Sequence, residues 1–416
     1  MRSFVGLTLL LLLARPAAAV GDPLTLAQVL ADVRARHPEI GSAAATAAGD
    51  RERVVQSGAW EDPVAGLELQ RMNNNTRLFS YDQAEVSLSQ KIPLSGNLAR
   101  RRAAAQAEAG VSAAAVRTRT FMVLASAREA YFALLRTREQ LALVAASERL
   151  LVQAADLVRS RLATGGTDTS ALLMAERERA QLQERLILLE REAADAAATL
   201  NVLRDLPPQA PVGELVAPPL TSGDAFATLA AAQAHALAHR PELGEAEARI
   251  TAASRAVDVA ARAWRPDPEV MVKARHVQAG GRAVNDYDTG FALSLPWANN
   301  DKYRAAQREA ARRREAAELD AAALRTRTAG EIREMWTRRD TARRNVELYR
   351  DRLLPLARAG ADALRAGLVT GKNSLAELVA AQRALVEAEI TLAANLADFH
   401  RYHAMLATLT GAADPS

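Results

Sequence analysis

The chain has 416 residues, 49% of them hydrophobic but only 4% aromatic, with a formal net charge of +4 and no cysteine. The lack of cysteine excludes disulfides, thiolate metal sites and a lipidated N-terminal cysteine. Arginine clusters such as Arg100-Arg101-Arg102 and Arg312-Arg313-Arg314 lie in Ala-rich stretches of alternating sign rather than among aromatics, which marks solvated helix faces and argues against a nucleic-acid partner.

Met1 and Arg2, an apolar stretch from Phe4 to Leu13, and Ala17-Ala18-Ala19 together read as a secretory signal peptide over residues 1–19, with the mature chain starting near Val20. The apolar stretch falls short of the roughly 20 residues of a transmembrane helix. No later segment is a long uncharged apolar run. Export therefore leads to the periplasm, the outside, or a β-barrel.

The rest of the chain is written twice. Arg36-His37-Pro38-Glu39-Ile40 returns as His239-Arg240-Pro241-Glu242-Leu243, and Ile92-Pro93-Leu94 as Leu295-Pro296-Trp297, both with the prolines 203 positions apart. Ala59-Trp60-Glu61-Asp62-Pro63 returns as Ala263-Trp264-Arg265-Pro266-Asp267-Pro268. Glu129-Ala130-Tyr131 faces Glu334-Met335-Trp336, and Thr164-Gly165 faces Thr370-Gly371, at offsets of 205 and 206. Preserved order with a slowly drifting offset is one duplication. It gives a first repeat over 20–206, a Pro-rich linker over 207–222 and a second repeat over 223–416.

Each repeat opens with a short helix that meets a proline, followed by a second helix running to the Trp-containing segment. Two alternating segments come next. Ala65, Leu67 and Leu69 alternate with Gly66, Glu68 and Gln70, and Ala84, Val86 and Leu88 with Glu85, Ser87 and Ser89. In the second repeat Val270 and Val272 alternate with Met271 and Lys273, then Phe291, Leu293 and Leu295 with Gly290, Ala292 and Ser294. A period of two with one apolar face predicts strands, placed at about 63–72, 83–93, 268–277 and 287–296. Asn73-Asn74-Asn75 and Gly280-Gly281 supply turn chemistry, so each pair is a hairpin.

After Pro93 no proline occurs until Pro207, and the composition favours helix throughout. A helix from about Leu94 to Leu162 would be on the order of 100 Å long. It reverses at a tip near 163–168 and returns to about Leu203. The second repeat does the same from Asn299 to about Thr410 around a tip near 369–373, with a kink or short break at Pro355.

Four segments of about ten residues match tilted membrane-crossing strands. Four strands cannot close a barrel alone, and open edges are not tolerated in lipid, so either the chain oligomerises or the strands lie outside a membrane. Trp60, Trp264 and Trp297 fall at the strand ends joined to helices, and Phe79, Tyr81 and Tyr287 near the hairpin loops. That is the layout of two interfacial girdles, and equally of ordinary strand-end packing. The long helices, too polar for lipid, would pack side by side into a tube.

The chain resembles the TolC-like outer-membrane efflux protein family over its whole mature length. The resemblance rests on the duplicated Pro-Glu helices, on Gln90-Lys91-Ile92-Pro93-Leu94-Ser95-Gly96 with Ser294-Leu295-Pro296-Trp297, and on Val369-Thr370-Gly371 with Ser374-Leu375-Ala376-Glu377-Leu378. It implies a mainly α fold with a membrane β-barrel contribution: a homotrimer with a twelve-stranded barrel in outer-membrane lipid, continued by an α-helical tunnel into the periplasm. It further implies docking to a periplasmic adaptor and an inner-membrane transporter, as a passive exit duct. The run from Leu295 through Lys302-Tyr303-Arg304-Ala305-Ala306 looks most like the branch serving heavy-metal and other cation efflux. Glu377 matches the acidic residue that lines the periplasmic mouth of family channels, and Thr164, Gly165, Thr370 and Gly371 match the helix tips that meet the adaptor. Where the family's tunnel protein has a second acid, this chain has Ala380. Two plainer readings stand beside these: Ser374-Leu375-Ala376-Glu377 is also a capping box, and the glycines also serve the turns.

No Gly-rich phosphate loop, nucleophile elbow or HExxH is present, so neither an enzyme nor a cofactor is expected. His235 with His239, and His400 with His403, have helical spacing for a metal, but neither pair has a third ligand nearby, and both read better as structural or surface histidines. Two alternatives remain: the same channel serving drug efflux or type I protein secretion, and a periplasmic coiled-coil adaptor or scaffold. Two duplicated amphipathic hairpins argue against the scaffold.

Overall fold

The computed structural model describes residues 23–70, 83–162, 169–218, 226–279, 282–370 and 372–411. The leader at 1–19, the turn residues Asn73-Asn74-Asn75 and Gly280-Gly281, and the first helical tip lie outside them. In chain order the elements are α1 (Leu26–Arg36), α2 (Pro38–Ser57), β1 (Val64–Gln70), β2 (Gln83–Lys91), α3 (Asn97–Leu162), α4 (Thr169–Leu203), α5 (Leu229–His239), α6 (Pro241–Arg262), β3 (Pro268–Ala279) and β4 (Arg282–Leu293). A short 3-10 turn (Pro296–Asn299) then leads to α7 (Asn300–Leu348), a π turn (Tyr349–Leu353), α8 (Leu354–Val369) and α9 (Leu375–Thr410). No described helix is long and apolar enough to cross a membrane.

The chain divides into two units. One comprises Met1–Val33, Ala127–Thr221 and Tyr349–Ala397, and the other Arg34–Ser126, Ser222–Leu348 and Asp398–Ser416. In the first, Leu151 and Ala155 of α3, Ala175 of α4, Leu368 of α8 and Leu375 and Leu378 of α9 form one buried cluster, and Val144, Leu189, Val386 and Ile390 form another. These are the apolar stripes of helices whose other faces carry the charge. The segment after α4 is tied down by polar contacts. Leu215 bridges to Leu24 in parallel, Arg138 donates to the carbonyls of Gly213 at 2.6 Å and Val212 at 2.9 Å, and Asn201 Nδ2 reaches Ala210 O at 2.7 Å. The buried Tyr131 hydroxyl sits 2.7 Å from Val216 O and 3.0 Å from Leu24 O, and burial pushes its pKa up to about 12.

In the second unit β1, β2, β3 and β4 form one antiparallel sheet in that order. The helices below it begin at prolines, which suit the first helical position because they lack the N–H that would go unpaired there. His37 caps α2, its Nδ1 accepting from Glu39 N at 3.3 Å. Its counterpart Arg240, 6% exposed, makes no cap. Its guanidinium instead pairs with Glu242 and with Glu331 at 2.6 Å and donates to Thr328 at 3.2 Å. Ala232, Ala236, Ile332 and Leu406 form the core nearby, with Trp336 packed against it.

Two boundaries differ from the sequence reading. The fourth strand, expected at 287–296, runs Arg282–Leu293 and pairs from Ala279↔Arg282 onward. Pairing with β3 holds as far as Ala279↔Arg282, so the mixed segment Arg282–Asp286 is drawn into the ladder without any alternation of its own. The irregularity expected at Pro355 lies one step earlier, in the π turn Tyr349–Leu353, with Pro355 in the first turn of α8. A proline offers no N–H to the carbonyl four residues back and its ring crowds that turn, so the helix widens ahead of it.

Candidate functional site

The sheet separates its side chains into two faces. Strand pairing aligns Leu67, Val86, Ala274 and Tyr287 in one row and Ala65, Leu88, Val272 and Thr289 in the next. These residues are open: Leu67 and Phe291 are each 69% exposed and Tyr287 75%. Large apolar side chains lying bare over a whole sheet face need a partner other than water.

The opposite face is polar. Its rows are Gly66, Ser87, Lys273, Asp288 and Glu68, Glu85, Arg275, Asp286. Glu85, buried at 8% exposure, accepts from Lys273 Nζ at 2.6 Å and Arg275 Nε at 3.3 Å, and Arg275 Nη2 reaches Asp288 at 2.8 Å. The chain of charges stitches β2, β3 and β4 together side by side. The sequence named Glu85 and Lys273 only as the polar members of alternating segments. Arg275 and Asp288 were missed, although continuing the same period by one step finds them. Strands β1 and β4 are the sheet's two edges, each paired on one side among the described residues.

At the second helical reversal the local geometry is well defined. Thr370 Oγ1 donates to Gly367 O at 3.1 Å, and Lys372 N donates to the same carbonyl at 2.9 Å. Asn373 folds against Gly367, where any Cβ would collide with it. Ser374 and Glu377 form the reciprocal pair of a capping box: Ser374 N donates to Glu377 Oε2 at 2.9 Å, and Glu377 N to Ser374 Oγ at 3.2 Å. The Glu377 side chain is exposed at the start of α9, seven positions after Thr370. Thr164, Gly165 and Gly371 lie outside the described residues, as do the side chain of Trp297 and residues Phe79 and Tyr81. Trp60 and Trp264 are about half exposed at the ends of α2 and α6.

The histidine pairs are held by backbone and by packing. His235 Nδ1 lies 2.7 Å from Thr410 O, and His239 Nδ1 3.0 Å from His235 O. His400, 6% exposed, is pushed down to about 4 by burial, reinforced by His403. Among the described residues no three His, Cys, Asp or Glu side chains gather as a metal cluster.

A duplicated chain with a bare apolar sheet face, a charged face behind it, open sheet edges and long polar helices has the fold class of outer-membrane channels. Residues 233–412 match the model of the family described as outer membrane efflux protein. The chain carries that match within its second repeat, over 180 of its 416 residues. Its fold is similar to that of CusC, with a TM-score of 0.78 at 16% identity over 92% of this chain and 91% of that one. It is similar also to the outer membrane protein VceC of Vibrio cholerae, with a TM-score of 0.76 at 15% identity over 93% and 96%. In sequence it is 26% identical over 306 residues to the pyoverdine export outer membrane protein OpmQ of Pseudomonas putida. That match covers 68% of this chain and spans 63% of the length of the relative.

Proposed function

We propose that the chain is one protomer of a homotrimeric outer-membrane channel, the passive exit duct of a tripartite efflux pump. The observation that carries this reading is the two-faced sheet with both edges open. Four strands are about half the smallest barrel, and an open edge in lipid leaves backbone groups unpaired at several kcal/mol each. Pairing β4 of one copy with β1 of the next removes every edge at once, sets Leu67, Tyr287 and Phe291 against lipid and turns Glu85, Lys273 and Arg275 inward. The helices then extend into the periplasm, with the reversals carrying Thr164, Gly165, Thr370 and Gly371 toward a periplasmic adaptor and, through it, an inner-membrane transporter that supplies the energy.

Glu377 from three copies would form an acidic ring at the periplasmic mouth and favour cations. Because its carboxylate also caps α9, the two roles are separable by partner. In planar bilayers Glu377→Ala is expected to raise conductance or reduce cation selectivity, while Ser374→Ala, which removes the same cap at a cost of about 0.5–2 kcal/mol, leaves selectivity alone. Matching effects in both variants would leave Glu377 a capping residue only. Recovery of the full-length protein as a water-soluble monomer would overturn the channel itself.

The motif after the fourth strand supports heavy-metal cations as cargo, and likeness to a pyoverdine exporter supports a second reading, small organic chelators. Growth of a deletion strain across metals and antibiotics, with siderophore measured in the medium, separates them. Unchanged metal tolerance with lost siderophore secretion would decide for the second.

A further inference from the structure

We propose that Arg100, Arg262 and Arg265 form a binding site for the phosphate of an anionic phospholipid headgroup, where the sheet gives way to the helices. This site presupposes the channel reading, because the apolar sheet face must lie in lipid. Arg262 is the last residue of α6 and Arg265 follows three positions on, just ahead of β3, while Arg100 stands in the first turn of α3, shortly after β2. Arg100 and Arg262 line a groove of about 260 Å³ between α3 and α6. Which side of the helices the groove occupies follows from the strands. Lys91 continues the polar set Glu85, Ser87 and Ser89 of β2, and it lines a larger cavity together with Asn97, Arg101 and Glu108 of α3 and Ala256 and Ala260 of α6. Ala99, Arg100 and Ala103 lie round on the other face of α3, as Arg255 and Arg262 do on α6. The groove is therefore on the side of the bare apolar sheet face, at its helical end.

No carboxylate answers the three guanidinia. Among the described residues none of them makes an ion pair, and Asp258, the acid lining the groove, is taken by Arg255 at 3.3 Å. The Arg262 guanidinium is held below its ordinary value by the charge of Arg265 first, then by loss of water and by the charge of Arg100. Repulsion of this kind is relieved when an anion enters. Helix α3 starts and α6 ends at the groove, so their dipoles oppose each other and the side chains set its charge. Guanidinium forks match phosphate oxygens two at a time. Trp264, 45% exposed, carries the Arg265 guanidinium 5.6 Å from its ring centroid, which sets an aromatic and a cation together where headgroups meet hydrocarbon. The acyl chains attached to a phosphate in the groove would run along the apolar sheet face, a contact that a free anion cannot make.

The test is native mass spectrometry of the full-length protein in detergent, titrated with phosphatidylglycerol and with phosphatidylcholine of the same acyl chains, then with inorganic phosphate. Phosphatidylglycerol should be retained in preference to phosphatidylcholine. The preference should fall about fivefold in Arg265→Gln, the scale of one basic residue at an anionic membrane surface, and further in Arg100→Gln/Arg262→Gln. It should stay unchanged in Arg312→Gln/Arg333→Gln, which removes two exposed charges of α7. Equal retention of both lipids by the unaltered protein, or a preference that survives the groove variants, would overturn the site. Displacement of phosphatidylglycerol by inorganic phosphate, and not by chloride at equal ionic strength, would make the groove a free-anion site and overturn the lipid assignment. A water-soluble monomer would instead remove the channel reading, which a membrane-integral protein without lipid preference leaves standing.

Discussion

The two halves of the chain start from one plan and diverge along their long helices. In the first half α3 runs from Asn97 to Leu162 without interruption, whereas the second half covers the same stretch with α7, a π turn and α8. The offset between the copies is 205 at Tyr131 and Trp336 and 206 at Thr164 and Thr370, so one extra residue enters the second copy between those points. A residue added to a regular helix would turn everything after it by about 100° and rotate the apolar stripe out of the core. Spread over one wide turn, it leaves the stripe in register: Leu354, Ala361 and Leu368 are all buried. Single-turn π segments inside α-helices are the usual form of such an accommodation, and the turn at Tyr349–Leu353 is where the duplicated helix stores its length difference.

The comparison breaks most sharply with proline. Arg149 of α3 lies at the place that corresponds to Pro355 and is exposed, so replacing it removes little packing. Arg149→Pro should cost about 3 kcal/mol or more, because α3 has no wide turn ahead of the site to take up the ring and the lost hydrogen bond. Pro355→Ala should change stability by less than about 1 kcal/mol. Thermal unfolding followed by helical circular dichroism measures both, and equal losses at the two positions would show that the π turn is not what makes proline tolerable.

A second divergence sits in the returning helices. Counting back by the same offset of 206, the places held by His400 and His403 in α9 are Ala194 and Ala197 in α4. His400 is held near 4 in the fold by burial against about 6.5 in the unfolded chain. The unfolded chain therefore binds the extra proton first, and the stability that the neutral ring contributes is complete above about pH 6.5 and lost as pH falls toward 4. The full loss is up to about 3 kcal/mol. Melting temperatures at pH 7.5 and 5 should differ by several degrees in the unaltered protein and by clearly less in His400→Gln. The same slope in both would mean the ring is already solvated.

Much of this architecture was legible because duplication lets one half annotate the other. Pro38 with Pro241 marked the helix starts, and the alternation at Leu67, Leu69, Val86 and Leu88 marked the strands together with their apolar face. The start of β4 was illegible because Arg282–Asp286 has no alternation; its place in the ladder is dictated by β3 across the turn. Arg240 could not be read as an ion-pair centre, since Glu331 lies 91 positions away and no local pattern joins them. The capping box at Ser374 and Glu377 was written in the sequence and is formed. Whether Glu377 also acts as part of a ring depends on copies that a single sequence does not contain. The histidine pair was visible by spacing, but the contact that holds His235 depends on Thr410 O, which lies 175 positions away.

The smallest expected effect concerns the aromatic residues that the duplication places opposite each other. Trp336 packs its ring against the core beside Ile332 and under the Arg339 guanidinium, 4.2 Å from the ring centroid. Tyr131 is buried more deeply than the partly buried Trp336, and its hydroxyl holds the backbone at Val216 and Leu24. In Tyr131→Phe the ring and its packing survive. Leu24 O still receives Val216 N at 3.2 Å, but Val216 O loses the hydroxyl. The expected cost is about 1–2 kcal/mol, that of a buried acceptor left without its donor. It should appear locally, as faster amide hydrogen exchange across 212–216 with little change in α3. Uniform protection in the variant would mean that Arg138, gripping Val212 and Gly213, holds this segment without Tyr131.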